Sequence, residues 1–211
     1  MNKIIKNKMK KILIAILMCM PGIANAQNNT WEMSETEVAG KVINPDQKYL
    51  AGAVPVVNGR VVFSTTIEAP GKTASQIYAL LLKYMTKMTT EPNQFEQSRI
   101  TLNDTINNKI YGSYQEWLVF KNKPLVLDRT RLFYNIMVEC ENGKAHIDMT
   151  RIYYIYDEER QPLTYKAEEW ITDEYGLKKK KDKLSRVSGK FRRKTIDRKD
   201  YLFNKFADIL K

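Results

Sequence analysis

Histidine and cysteine are nearly missing from this sequence. His146 is the single histidine, and Cys19 and Cys140 are the only cysteines. Cys19 falls in a segment expected to be removed, so the mature chain keeps one thiol and has no internal disulfide. One imidazole and one thiol cannot build a nitrogen–sulfur zinc site. The chain also lacks a Gly-rich phosphate loop, a G-x-S-x-G elbow, an H-E-x-x-H pair and the acidic spacing of a calcium loop. Glu168 and Glu169 are adjacent on an expected helix, so they diverge and do not make an acid/base couple. Beyond the first twenty residues there is no long apolar run. These absences remove the common metal, nucleotide and nucleophile constellations. No cofactor, no metal and no enzymatic activity are expected.

What the chain has in excess is positive charge, with 35 Lys and Arg against 24 Asp and Glu, a net +11. The excess sits at two ends. "MNKIIKNKMKK" is a basic start, "ILIAILMCM" a short apolar run and "PGIANAQ" a small-residue cleavage pattern, so residues 1–26 read as a signal peptide cut after Ala26. The apolar run is about half of the ~20 residues that span a bilayer. The mature chain is therefore expected to be exported, periplasmic or secreted, with no transmembrane span. Lipid anchoring at Cys19 is the less favoured alternative, because Met18 before it is not small. The second basic stretch lies within residues 177–211, where fourteen Lys and Arg face four Asp. The segment between these ends is net acidic.

Four segments follow from pattern: the signal peptide, a polar N-terminal arm over 27–50, an α+β domain over 51–156, and a C-terminal helical extension with a basic connector over 157–211. Asn58-Gly59 marks a turn. Val61, Phe63, Thr65 and Ile67 alternate with polar neighbours as a strand would. Thr73 or Ser75 caps a helix whose Ile77, Leu80, Leu81, Tyr84 and Met88 form a stripe. "SRITLND" and "KIYGSYQEWLVF" read as strands. In the second, Ile110, Gly112, Tyr114, Glu116 and Leu118 share the core face. Asn142-Gly143 predicts a hairpin with a type I′ turn, pairing Glu141 with Lys144, Cys140 with Ala145 and Glu139 with His146. Strict alternation beyond it puts Leu132, Tyr134, Ile136 and Val138 on the core face with Ile147, Met149, Tyr153 and Ile155. "QPLTYKAEEWITDEYG" reads as a linker and a short helix around Trp170. Thr195 is expected to start the last helix. The fold class is α+β, an antiparallel sheet with helices packed on one face, plus a C-terminal helix.

The stretch "GAVPVVNGRVVFSTTIEAPGKTASQIYALLLKYM", the strand "IYGSYQEW" and the hairpin "NIMVECENGKAHIDMTRIYYIYD" together resemble the domain-of-unknown-function family 4468, which has a TATA-binding-protein-like (TBP-like) fold. The likeness covers about residues 50–156, and "GKFRRKTIDRKDYLFN" is similar to the C-terminal region of such proteins. It implies a fold and export. It supplies no catalytic residues, and the name of a fold does not import nucleic-acid binding.

Two candidate surfaces remain. Lys178, Lys179, Lys180, Lys181, Lys183, Arg192, Arg193 and Lys194 are candidate anion contacts. With only Phe191 interleaved they lack the stacking partners of a single-strand binder, and export separates them from nucleic acid, so no nucleic-acid partner is expected. The basic run reads first as a solvated connector; contact with an anionic envelope surface, lipid or glycan, or with another envelope protein is the alternative, and the partner is left open. Tyr111, Trp117, Phe133 and Tyr154, with Tyr156, are expected opposite the core face, covered by the N-terminal arm or the Trp170 helix or, as the alternative, open as a ligand surface. Cys140 and His146 point to opposite faces, so they cannot act as nucleophile and base. A third reading, a hydrolase using Glu139, His146 and Asp148, requires a pocket on that face.

Overall fold

The computed structural model describes residues 45–211. The signal-peptide and Cys19 readings, and most of the arm, lie outside the described residues. In chain order the elements are β1 (Val56–Val57), β2 (Arg60–Val61), β3 (Phe63–Glu68), α1 (Ala74–Met88), β4 (Arg99–Asp104), β5 (Lys109–Lys123), β6 (Val126–Glu141), β7 (Lys144–Tyr156), β8 (Leu163–Lys166) and α2 (Gly189–Leu210).

Asn58 and Gly59 both take positive φ, the requirement of a type I′ turn, and close the β1–β2 hairpin. The main sheet is antiparallel, in the order β3-β7-β6-β5-β4, with β8 also pairing β7. β3 occupies the first half of the free edge of β7, and β8 the second half. α1 and α2 cover one face, and Tyr84 of α1 meets Phe206 of α2 edge to face at 5.2 Å. α1 starts where expected: Thr73 and Gln76 form a reciprocal capping box, which satisfies two N–H groups that the first turn leaves unpaired. Its buried stripe is Ile77, Tyr78, Leu81, Met85 and Met88, while Leu80 faces solvent.

The β6–β7 hairpin has the expected register, Glu141 with Lys144, Cys140 with Ala145 and Glu139 with His146. Its turn is not type I′. Only Gly143 has positive φ, and the Asn142 side chain instead accepts a hydrogen bond from Ala74 N at 2.9 Å. Further along, the strict alternation fails. Phe133 pairs with Tyr153 but Asn135 pairs with Thr150, so β7 carries one extra residue opposite β6. Arg151 absorbs it with φ 54. A bulge of this kind shifts every later side chain to the other face. Ile152 and Tyr154, not Tyr153 and Ile155, therefore enter the core. Tyr154 is fully buried, and its hydroxyl lies 2.7 Å from Thr195 Oγ1 of α2. It is no part of an open ligand surface.

The boundary expected at 156 is not a domain boundary. "LTYK" is β8, a strand of the same sheet, and Ala167–Glu169 is one 3₁₀ turn in place of a helix. α2 begins at Gly189, six residues before Thr195, and its Phe191, Ile196, Leu202, Phe206 and Leu210 belong to the core under the sheet. Phe191 sits among the rings of Phe120, Tyr154, Tyr156, Tyr165 and Trp170, at centroid distances from 4.6 to 6.1 Å. The core also holds charge. Arg198 is fully buried and donates from Nε to Glu116 at 2.7 Å, with Glu91 at 3.3 Å. Burial works against the guanidinium, but Glu116, Tyr134 and Glu91 outweigh it and hold Arg198 charged.

Candidate functional site

On the sheet face away from the helices, β6 presents Arg129, Arg131 and Phe133 at every second position, beside Trp117 of β5. The arginines lie on the rings. The Arg129 guanidinium is 3.8 Å from the Trp117 centroid and that of Arg131 is 3.9 Å from the Phe95 centroid. Phe133 stacks on Tyr153 at 4.2 Å and 9°. Glu159 pairs with Arg129 at 2.9 Å, and Glu158 accepts from Arg131 Nε at 3.0 Å. These four rings thus each have a face occupied by the protein's own side chains, and Phe133 is 8% exposed. Of the four expected surface residues, Trp117 and Phe133 enter this stack, Tyr111 lies half-buried on the same face, and Tyr154 is on the other side. Arg129, Arg131 and Tyr153 escaped the sequence reading. The alternation R-x-R-x-F is visible in the sequence, but the cation–π pairing depends on β5 lying alongside.

Glu139, His146 and Asp148 do share the open face. His146 Nε2 is 3.2 Å from Asp148 Oδ1, and its Nδ1 is 3.2 Å from Thr66 Oγ1. Glu139 pairs with Lys109 at 2.8 Å instead of with His146. The hydroxyl–imidazole–carboxylate line lies on flat sheet. Backbone N–H groups of a strand point within the plane of the sheet, so none is aimed above it at an oxyanion. The two open grooves described, of 390 and 420 Å³, lie elsewhere: one between α1 and β4 near Thr86 and Ile100, the other near Val54, Glu168 and Asp173. Among the described residues no three His, Cys, Asp or Glu group as a metal site.

The basic segment divides into an inside and an outside. Arg192 is fully buried, so it is no anion contact. It donates to Tyr49 O at 2.6 Å, Leu50 O at 2.6 Å, Ile171 O at 2.7 Å and Asp173 Oδ1 at 2.7 Å. Three carbonyls and one carboxylate satisfy a planar fork that would otherwise be costly to bury. These bonds dock the end of the arm, where Tyr49 is buried and donates to Asp197 at 2.7 Å. A Cβ at Gly176 would lie 2.7 Å from the Ile171 carbonyl oxygen and 2.8 Å from Arg192 Cδ, which is why glycine stands at the base of the lysine loop. Arg193 pairs with Asp46 and lies over the Tyr49 ring at 5.1 Å. Burial pulls the half-buried Lys194 ammonium below its usual value, with Asp197 acting against that.

Lys178–Lys183 form the outside. Leu177 bridges Leu184, Lys178 N donates to Lys183 O at 2.9 Å, and Ser185 N donates to Gly176 O at 2.9 Å. The five lysines are exposed on this tight loop with only Asp182 among them. Lys181, at φ 57, reaches the rim of the groove that holds Glu168 and Asp173. Many of the other basic residues described have an acid within 4 Å, as Lys48, Lys109, Arg129, Lys190 and Arg192 do. Among the described residues, no ion pair holds any lysine of this loop.

A family model described as a domain of unknown function (DUF4468) with TBP-like fold matches residues 63–155. A crystal structure of a DUF4468 family protein from Bacteroides ovatus is 42% identical, with a TM-score of 0.74, over 79% of this chain and 95% of that one. A TBP-like protein from Parabacteroides distasonis is 20% identical, with a TM-score of 0.58, over 74% of this chain and 96% of its own, and shares the fold. No curated protein matches the chain.

Proposed function

The chain belongs to the DUF4468 family with its TBP-like fold, and from that premise we propose that it is an exported, non-enzymatic binding module that holds to an anionic surface of the cell envelope through the Lys178–Lys183 loop. The observation that carries the reading is a tight loop of five exposed lysines with no ion-pair partner among the described residues, in a fold that pairs many of its other basic groups. Such a cluster keeps its full field for an external anion, worth about 1 kcal/mol per lysine near an anionic membrane. No helix among the described residues is long and apolar enough to cross a membrane. The rings of the open face, already stacked on the chain's own side chains, support a ligand role less well. The Thr66–His146–Asp148 line, with no oxyanion donors above it, supports hydrolysis less well still.

The test is co-sedimentation of residues 27–211 with anionic vesicles, and retention on an immobilised polyanion, from low to high salt. Binding should weaken steeply with salt. Replacing Lys178, Lys179, Lys180 and Lys181 by Gln should weaken it at least ~100-fold, from four contacts of ~1 kcal/mol each. Binding that ignores both salt and the four substitutions rules the reading out.

A further inference from the structure

The β5–β6 hairpin outruns the sheet. β7 stops pairing at Thr130, and beyond it β5 and β6 pair only with each other, Lys121 with Asp128, Asn122 with Leu127 and Lys123 with Val126. The turn is Pro124–Leu125. Proline followed by positive φ is the pattern of a type II turn, whose second position belongs to Gly or Asn. Here Leu125 stands at φ 65, fully exposed. Val126 and Leu127 follow, 44% and 43% exposed. An apolar side chain in a strained conformation, held in water, gives the folded monomer nothing. Strain of this kind marks a functional position.

The charge around the tip says what covers it. Lys121 and Lys123 are exposed on the same hairpin. Lys190, in the first turn of α2, donates to Asp128 Oδ2 at 2.7 Å and to Tyr156 Oη at 3.1 Å, and Phe120 meets Phe191 at 4.6 Å. The head of α2 is thus clamped to the root of the hairpin. Val187, 57% exposed, lies two residues before that helix, and the lysine loop ends just upstream. Only five residues separate the lysine loop from the helix that grips the root of the hairpin. Apolar side chains ringed by ammonium groups complement a bilayer interface, where acyl chains lie beneath phosphates. A glycan complements only the charges.

We infer that Leu125, Val126 and Leu127 insert into the interfacial layer of an anionic lipid bilayer while Lys121, Lys123 and the Lys178–Lys183 loop contact headgroup phosphates. This rests on the proposed reading for the loop's share of the charge and adds an apolar contact and a ligand class.

The experiment compares the wild type, Leu125→Asn and the four-lysine Gln variant on vesicles of phosphatidylcholine with phosphatidylglycerol, on vesicles of phosphatidylcholine alone, and on dextran sulfate. Asn suits φ > 0 and adds no charge, so Leu125→Asn keeps the fold. It should weaken anionic-vesicle binding about tenfold, the partition of one leucine, and leave dextran sulfate binding unchanged. A polarity-sensitive fluorophore on Leu125→Cys should shift to the blue on anionic vesicles. Equal vesicle binding by Leu125→Asn, or a fluorophore that stays in water, overturns the insertion. So does a dimer that Leu125→Asn dissolves, because the tip then serves a second copy. If instead the four-lysine variant binds as the wild type and only Leu125→Asn fails, the insertion stands and the lysine-loop reading falls.

Discussion

Cys140 is the one thiol of the described residues, and the hairpin hides it. It is 6% exposed, and burial pushes its pKa from 9.0 up to about 12. Two outcomes follow at this scale. A thiol reagent should label the native protein about a hundredfold or more slower than the unfolded one, because the thiolate is the reactive form. Stability should also fall as pH rises from about 9 to about 12: in that window the unfolded thiol gives up its proton and the folded one keeps it, so the unfolded state binds fewer protons. Tyr49 acts with the same sign, pushed from 10.0 to about 12 by burial and by its bond to Asp197. Thermal midpoints from neutral to strongly alkaline pH check this, with Cys140→Ala flattening part of the slope. The burial of Cys140 was legible because a two-residue turn fixes which face each residue of the hairpin takes. The exclusion of Tyr154 from the open face was not, because a one-residue bulge leaves no mark in composition, and arginine is not a residue that announces positive φ.

α2 shows where hydropathy misleads about an element. "GKFRRK" looks like the solvated approach to a helix, yet it forms the first turns, with Phe191 and Arg192 both inside. An arginine counts as polar in any periodicity, and only the converging carbonyls of Tyr49, Leu50 and Ile171 make its burial favourable. Those acceptors come from two distant segments, so no local pattern reveals them. Glu116 was legible as a charge on the core face, but its partner Arg198 was not. Arg192→Ala leaves Asp173 and three carbonyls without their donor, and should cost about 3 kcal/mol. Urea unfolding measures the loss, and hydrogen exchange should quicken at Leu50 and across 171–176. Arg192→Lys should restore only part of it, since one ammonium cannot span four acceptors in a plane.

The molecule as a whole folds around one core, and the sequence suggested a smaller one. The resemblance over residues 50–156 covers β1 to β7 and α1, but the sheet face beneath α2 needs Ile196, Leu202, Phe206 and Leu210 to close it. A chain ending at Asp157 should therefore fail to fold, with a collapsed amide spectrum and aggregation, whereas residues 45–211 should give a dispersed one. Fold class was readable from strand order and turn chemistry, and the division of the basic segment into a buried clamp and a bare loop was not. The bulge at Arg151 has a consequence for how the chain tolerates change. It gives β7 a reading frame of its own, in which the parity of residue number, more than residue identity, decides what is inside. The Arg151 side chain faces water, and at its positive φ Gly or Asn could take its place. Losing that single residue would let Ile152 take its place in a regular alternation, with Ile152 and Tyr154 still inside, Phe133 still opposite Tyr153 and β8 still against Tyr153–Tyr156. Position 151 thus behaves as an insertion that the sheet has absorbed, and deleting it should leave the core side chains as they stand.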